Sequence, residues 1–480
     1  MNLLLVFSLI GKLLLVESAL MAPSLVIALI DRTPDASAIG ITMAIAAAAG
    51  VALSLIRPKD DRLRPREGFS VVAMAWMIFS LLGGLPFYLS GYIPSMVDCF
   101  FEVVSGFTTT GSTILTDVEC LPRGLLFWRS FTNWVGGMGV LILSMALLPK
   151  LGGRTVFLMR AESPGPSPDK LVPRMEQTAK ILYALYLGMS VLLFVTLILC
   201  GMNWFDAAIH TFGTAGTGGF SNYNLSVGHF ANPVIEAVIG VFLLLFGVNF
   251  TLYFHLLKGN FRAIRENSEL RVYVVLVTAS VILIALNISP QCANLTDAFR
   301  RSFFQVGSVI TTAGFATDDF NLWPMFSKSI LLILMLTGCC AGSTGGGMKL
   351  IRVTMLLKGV RREIRRTIQP RVTNVIKIDG KAVDEDIFNA TSMFFFGYMA
   401  VIVLATLLVS LDNFGFESTL TAVITCINNI GPGLGMVGPM GNFSEFSNMS
   451  KIVLSLCMLL GRLELYPILL LASRKTWAKN

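Results

Sequence analysis

The stretch TTTGSTI, residues 108–114, follows a short amphipathic segment and precedes a long apolar one, and the same cycle returns as GTGGFSN (216–222), TTAGFAT (311–317) and NNIGPGL (428–434). The central glycines Gly111, Gly219, Gly314 and Gly431 lie 108, 95 and 117 residues apart. A unit of about one hundred residues therefore recurs, and four covalently linked units can surround one axis as four subunits would. One such turn alone is an ordinary tight loop in a chain with 43 glycines. Four in register with the hydropathy cycle describe a pore.

Working outward, the chain is too apolar for a soluble core. Hydrophobic residues make up 54% and charged residues 14%, and the mean hydropathy is +0.72. Many runs reach the roughly 20 residues that cross a bilayer as helix. The reading is an all-α polytopic membrane protein with two leading helices, near 3–30 and 37–56, and four units of helix, re-entrant segment and helix. The first of these helices contains Lys12 and Glu17 and lacks a basic leader or small-residue cleavage site, so it is expected to be retained.

The expected divisions are 1–66 for the leading pair and its basic loop, then 67–175, 176–266, 267–385 and 386–480. Unit 1 crosses at 68–89, re-enters at 96–110 and returns at 125–148. Unit 2 uses 179–201, 204–216 and 233–257. Unit 3 uses 271–288, 298–312 and 326–357, and unit 4 uses 388–411, 416–429 and 446–470. Ten crossings result. Each re-entrant piece is too short to span and suits a half-membrane helix.

Lys and Arg cluster at 57–66, 150–174, 258–265 and 361–366, whereas 91–95, 221–232, 412–415 and 432–450 carry none. The basic loops are expected to be cytoplasmic and the glycine turns to open outward. The net charge of +8 follows from that loop bias and gives no reason to infer a nucleic-acid partner.

Non-helical backbone at membrane depth survives only where it is packed in protein or faces a water-filled path. Glycine at positive φ can turn its carbonyl toward the axis and leaves the axis open. A re-entrant helix adds roughly half a negative charge at its C-terminal end, worth about 0.3–2 kcal/mol, against an idealised cost of about 20 kcal/mol for stripping an ion. Backbone carbonyls must therefore replace most of the hydration shell. The expected cation-binding filter is Thr109, Thr110, Gly111 and Ser112; Thr217, Gly218, Gly219 and Phe220; Thr312, Ala313, Gly314 and Phe315; and Asn429, Ile430, Gly431 and Pro432. Nine residues before the central glycines stand Glu102, His210, Gln305 and Ala422, which either brace the re-entrant helices or meet the ion.

These residues resemble the Trk/Ktr/HKT superfamily of cation transporters over nearly the full length, and the two leading helices are similar to its TrkH/TrkG branch. The resemblance implies K⁺ uptake across the bacterial inner membrane, with K⁺ as the substrate at the filter and no cofactor. Gly111 implies K⁺ preference, because serine at that place accompanies Na⁺ preference in the plant relatives. A Na⁺-permeable, or H⁺- or Na⁺-coupled, transporter on the same scaffold is the alternative. The resemblance also implies a homodimer, a cytosolic ring of TrkA-type nucleotide-binding subunits and a filter mouth facing the periplasm. The basic segment 361–387 would be the docking face, or else a lipid-headgroup site.

The last helix of unit 3 is interrupted by GCCAGSTGGGMK, residues 338–349. Each of its five glycines costs about 1 kcal/mol relative to alanine in a helix, so unwinding is expected. The resemblance implies a gate made of Gly338, Gly342, Ser343, Thr344, Gly345, Gly346, Gly347 and Lys349; a kinked helix is the plainer reading. Arg462 lies deep in the last apolar run, either facing the cavity as part of the gate or pairing with another helix. Glu464, two positions on, is off its helix face. Asp117, Glu119, Asp318 and Asp319 follow the first and third turns, as a cation-attracting mouth or a solvated loop.

Enzyme motifs fail on inspection. GSTGGGMK is off-pattern for a phosphate loop, and Gly433-x-Gly435-x-x-Gly438 lacks a strand and helix context. The three histidines, His210, His229 and His255, have no metal-ligand spacing, the eight cysteines form no CxxC pair, and Cys339 beside Cys340 suits apolar packing. The expectation is a transporter with no catalytic residues.

Overall fold

Long apolar runs with caps at their ends become helices, and the computed structural model describes them over residues 2–56, 58, 65–139, 175–369 and 375–473, without the side chains of 65, 66, 175, 176 and 472. Six helices among the described residues are long and apolar enough to cross a membrane. They are the leading pair, Leu3–Asp31 and Asp35–Ser54, and the first helix of each unit: Glu67–Leu89, Gln177–Leu199, Ser268–Gln291 and Glu385–Asp412. The first of them breaks into Leu3–Leu20 and Ala22–Asp31, with proline in the opening turn of the second piece. Proline is tolerated there because its missing N–H has no helical partner to lose.

The leading pair packs through glycine. A Cβ on Gly11 would lie 2.7 Å from Leu53 Cβ and 2.8 Å from Gly50 O, so the two backbones touch as membrane helices do where small residues meet.

The re-entrant helices are Met96–Phe107, Trp204–Gly216, Leu295–Ile310 and Phe416–Asn428. Three open on side-chain caps: Ser95 accepts from the Asp98 N–H, Asn203 from Asp206 and Asn294 from Asp297. Each packs against the second helix of the unit before it. The helix of unit 2 lies on Arg123–Gly137, that of unit 3 on Pro233–Phe246, that of unit 4 on Met325–Thr337, and that of unit 1 on Asn448–Arg462. The circle thus closes from unit 4 back to unit 1.

The returning helices differ from the expectation. Unit 1 returns as Arg123–Gly137 and stops short of the expected course at Met138 and Gly139; the rest of the expected helix over 140–148, the basic residues Arg57, Lys59, Arg62 and Arg64, and the basic cluster at 150–174 lie outside the described residues. Unit 2 does not return as one helix over 233–257. Pro233–Phe246 and Phe250–Leu257 meet at 92°, with Asn249 capping the second piece. Unit 3 breaks between Met325–Thr337 and Leu350–Ile368, as its glycines required. Unit 4 does not run unbroken from 446 to 470 either. It stops at Arg462, passes through Glu464 and Leu465 at φ +57° and +67°, and resumes as Tyr466–Ala472.

Candidate functional site

Each re-entrant helix ends in the same hydrogen-bonded device. Thr109, Thr217, Thr312 and Asn429 adopt φ of +56°, +52°, +60° and +54°. The next N–H returns five residues: Thr110 to Ser105 O, Gly218 to Gly213 O, Ala313 to Ser308 O (2.8 Å in each), and Ile430 to Thr425 O at 3.0 Å. This is the Schellman ending, usually built on glycine. A left-handed non-glycine residue costs about 1–2 kcal/mol, so threonine or asparagine there is held by its surroundings. The device was not read from the sequence, although the Thr, Thr, Thr, Asn column two residues before each glycine was its trace.

The central glycines also have positive φ: Gly111 +80°, Gly219 +67°, Gly314 +81° and Gly431 +99°. A Cβ on Gly111 would run into the Gly218 carbonyl oxygen, one on Gly219 into that of Ala313, and one on Gly314 into that of Ile430. On Gly431 it would lie 2.8 Å from Thr110 O. The carbonyl preceding each glycine thus abuts the glycine of the neighbouring unit, and the order closes on itself. All four segments assigned to the filter meet here. Ser112 Oγ donates to Gly431 O at 3.2 Å, and Asn429 Nδ2 to Thr110 Oγ1 at 3.0 Å, across the junction of the chain's first and last units. On the side of the segments that follow them, the four glycines border a cavity of about 130 Å³.

The residues behind the ring brace it. Glu102 accepts from Thr113 Oγ1 at 2.9 Å, the Ile114 N–H at 3.0 Å and Arg129 Nε at 2.7 Å. His210 shares a 3.1 Å hydrogen bond with Ser221 Oγ. With its amide oxygen toward the loop, Gln305 accepts from the Thr317 and Asp318 N–H groups at 3.0 and 3.3 Å. In unit 4 the brace is not at Ala422 but one residue earlier, where Thr421 Oγ1 accepts from the Leu434 N–H at 3.0 Å. Apart from Arg129 on Glu102, these contacts hold the chain just beyond a ring glycine, as a brace would.

Arg129 was missed. It is buried, pairs with Glu102, donates to Ser221 O at 3.0 Å and lies 3.6 Å from the Phe220 ring centroid. An arginine within a returning helix was the available signal. The acidic mouth residues are largely engaged: Asp318 accepts from Arg301 at 3.0 Å and Trp323 at 3.1 Å, while Asp117 and Glu119 bind Asn224.

On the opposite side of the ring lies 338–349, the break in unit 3. It plugs into the break in unit 2, which the sequence reading took for continuous helix. The Cys340 N–H donates to Gly247 O at 3.2 Å, Phe250 N–H to Gly342 O at 3.0 Å, and Thr344 N–H to Phe246 O at 3.5 Å. Each break satisfies groups that the other leaves open. The loop also hangs from the left-handed residues, since Thr312 Oγ1 accepts from the Gly346 N–H at 2.6 Å and Thr217 Oγ1 lies 3.4 Å from Thr344 Oγ1. Lys349 Nζ donates to Gly345 O within the loop.

Arg462 reaches this loop. Its guanidinium donates to Thr344 O at 2.8 Å and to Gly136 O and Gly137 O at 2.6 and 2.7 Å. The latter two close the returning helix of unit 1, a helix end that favours a cation. Glu464 instead receives Arg352 in a two-point pair at 2.6 and 3.1 Å. Among the described residues no group of three or more His, Cys, Asp and Glu could hold a metal ion.

A closed circle of four re-entrant turns, with backbone carbonyls directed at neighbouring glycines, defines a membrane pore protein made of linked repeats. The sequence profile described as "TrkH: Cation transport protein" matches residues 36–479. The chain belongs to that family. It is 37% identical over 478 residues to the Trk system potassium uptake protein TrkH of Escherichia coli K12, covering 98% of both chains. It is 34% identical to the TrkG protein of the same strain, covering 97% of both. The crystal structure of the potassium transporter TrkH from Vibrio parahaemolyticus superposes over 100% of both chains, with a TM-score of 0.90 and 33% identity.

Proposed function

We propose that this chain is the pore-forming subunit of a bacterial potassium uptake system. K⁺ is the substrate, and the carbonyls at 109–112, 217–220, 312–315 and 429–432 replace its hydration shell. One observation carries the reading: the carbonyl before each filter glycine abuts the next unit's glycine around a complete circle. Relatives that share nearly the whole length are named potassium uptake proteins, which supports K⁺ as the ion.

In this reading residues 338–349 are the gate. They occupy the far side of the ring, and Arg462 latches them through Thr344 O. The protein works in the bacterial inner membrane as a homodimer with its mouth to the periplasm, and a cytosolic TrkA-type nucleotide-binding subunit moves the loop. No residue acts as a catalyst.

The test is ⁸⁶Rb⁺ uptake by proteoliposomes of the purified chain, with K⁺, Na⁺ or Li⁺ in competition. Strong competition by K⁺ and weak competition by Na⁺ is expected. Equal competition would overturn the K⁺ reading in favour of a general monovalent pathway. Uptake that follows an imposed proton or Na⁺ gradient would identify a coupled transporter.

A further inference from the structure

The two roots of the loop 338–349 converge on a carboxylate that comes from neither of its flanking helices. Glu269 stands in the first turn of Ser268–Ile288, the opening helix of unit 3, and is buried. Its Oε1 accepts the Ala341 N–H at 2.8 Å and the Ile351 N–H at 3.0 Å. Ala341 lies on the first limb of the loop, and Ile351 lies in the first turn of the helix that follows it. A single backbone bond also joins the roots, from the Leu350 N–H to Cys339 O at 3.0 Å.

The neighbouring geometry explains why an acceptor oxygen is needed at this reach. The Ile351 N–H belongs to the first turn of Leu350–Ile368, where helix N–H groups have no partner within the helix. Lys349, the residue before that helix, has φ +73° and makes no side-chain cap. Glu269 fills the place of a cap from another helix, and the dipole at a helix start favours its charge. The Ala341 N–H is the second donor, and it too would be buried without a partner.

We propose that Glu269 is a positioning residue for transport: a clamp that pins both roots of the loop to the first helix of unit 3 and so keeps the loop under the ring. The inference rests on the reading of 338–349 as the gate. Arg462, Thr217 and Thr312 hold the body of the loop, near Thr344 and Gly346, whereas Glu269 holds its stem. A displacement of the loop away from the axis must strain or break the two bonds to Glu269 unless that carboxylate travels with it.

The experiment compares Glu269→Ala, Glu269→Asp and Glu269→Gln with the unaltered chain, measuring initial ⁸⁶Rb⁺ uptake by proteoliposomes without any partner. Glu269→Gln keeps an oxygen at the same reach and should remain close to the unaltered chain. Glu269→Asp keeps the charge but withdraws it by one methylene, and Glu269→Ala removes the acceptor. Both should raise basal uptake by about tenfold, with K⁺ over Na⁺ competition unchanged because the ring is untouched. Hydrogen exchange of peptides spanning 338–352 should rise in the same two variants.

A chain lacking residues 342–347 separates the two ideas. If that deletion raises uptake and the Asp and Ala variants do not, the clamp is wrong and the gate stands. If the deletion leaves uptake unchanged, the gate reading itself fails. Should Glu269→Ala not be recoverable as folded protein, Glu269→Asp decides: unaltered uptake with unaltered exchange overturns the clamp.

Discussion

The glycine ring repeats one backbone device four times, whereas the loop on its far side belongs to unit 3 and hangs on contacts that, among the described residues, no other unit reproduces. In the ring, each unit supplies a Schellman ending, a left-handed Thr or Asn and a glycine at positive φ, so the four strands are held alike although their side chains differ. The loop is held instead by Thr344 O on Arg462, by Gly346 on Thr312 and by the broken helix of unit 2. Repetition suits the coordination shell proposed for the ring, which must present similar carbonyls from four sides. The gate proposed for the loop needs only one such element, held by contacts separate from those that repeat around the ring.

That contrast can be broken by substitution. The largest effect is expected behind the ring, at Glu102→Ala. It leaves Arg129 buried without its carboxylate, a loss of about 3–5 kcal/mol, and removes the acceptor for Ile114 as well. The thermal unfolding temperature in detergent should fall sharply, and much more than for His210→Ala, which loses hydrogen bonds to the Asp206 carbonyl and the Ser221 hydroxyl. Equal losses would show that the units are braced alike and that Arg129 adds nothing.

Next is Gly111→Ser. The residue would keep φ near +80° with its Cβ against the Gly218 carbonyl, a backbone cost of about 1–2 kcal/mol before the clash is relieved. The carbonyl ring must yield at the junction of units 1 and 2, so the preference for K⁺ over Na⁺ should weaken in competition uptake. An unchanged preference would remove Gly111 from the filter.

The smallest effect is expected at the loop. Arg462→Ala removes one charged hydrogen bond from Thr344 O, on the order of 1.5 kcal/mol, and should raise basal Rb⁺ uptake several-fold with ion preference intact. Unchanged uptake would assign Arg462 to holding Gly136 and Gly137 alone.

Much of the ring was legible because it repeats. Four glycine turns in register with hydropathy located the four segments that meet in the ring, and the short amphipathic segments gave the re-entrant helices to within a few residues. Five glycines in ten positions gave the break in unit 3. The break at 247–249 was not legible, because one glycine in an apolar run costs too little to end a helix; it opens because 338–349 supplies the missing partners. The turn at Leu463–Leu465 carries no glycine or proline at all, and Arg352 on Glu464 becomes visible only once two distant segments meet. The brace in unit 4 was misplaced by one residue, since alignment on the glycine selects Ala422 while the hydroxyl able to reach Leu434 is on Thr421.

The most direct measurement of the central claim is an anomalous-scattering map from crystals grown in Rb⁺. The account predicts density on the axis of the ring, about 3 Å from the carbonyl oxygens of Thr110, Gly218, Ala313 and Ile430 together. Density seated between only one or two units, or none on the axis while the ring is ordered, would contradict it.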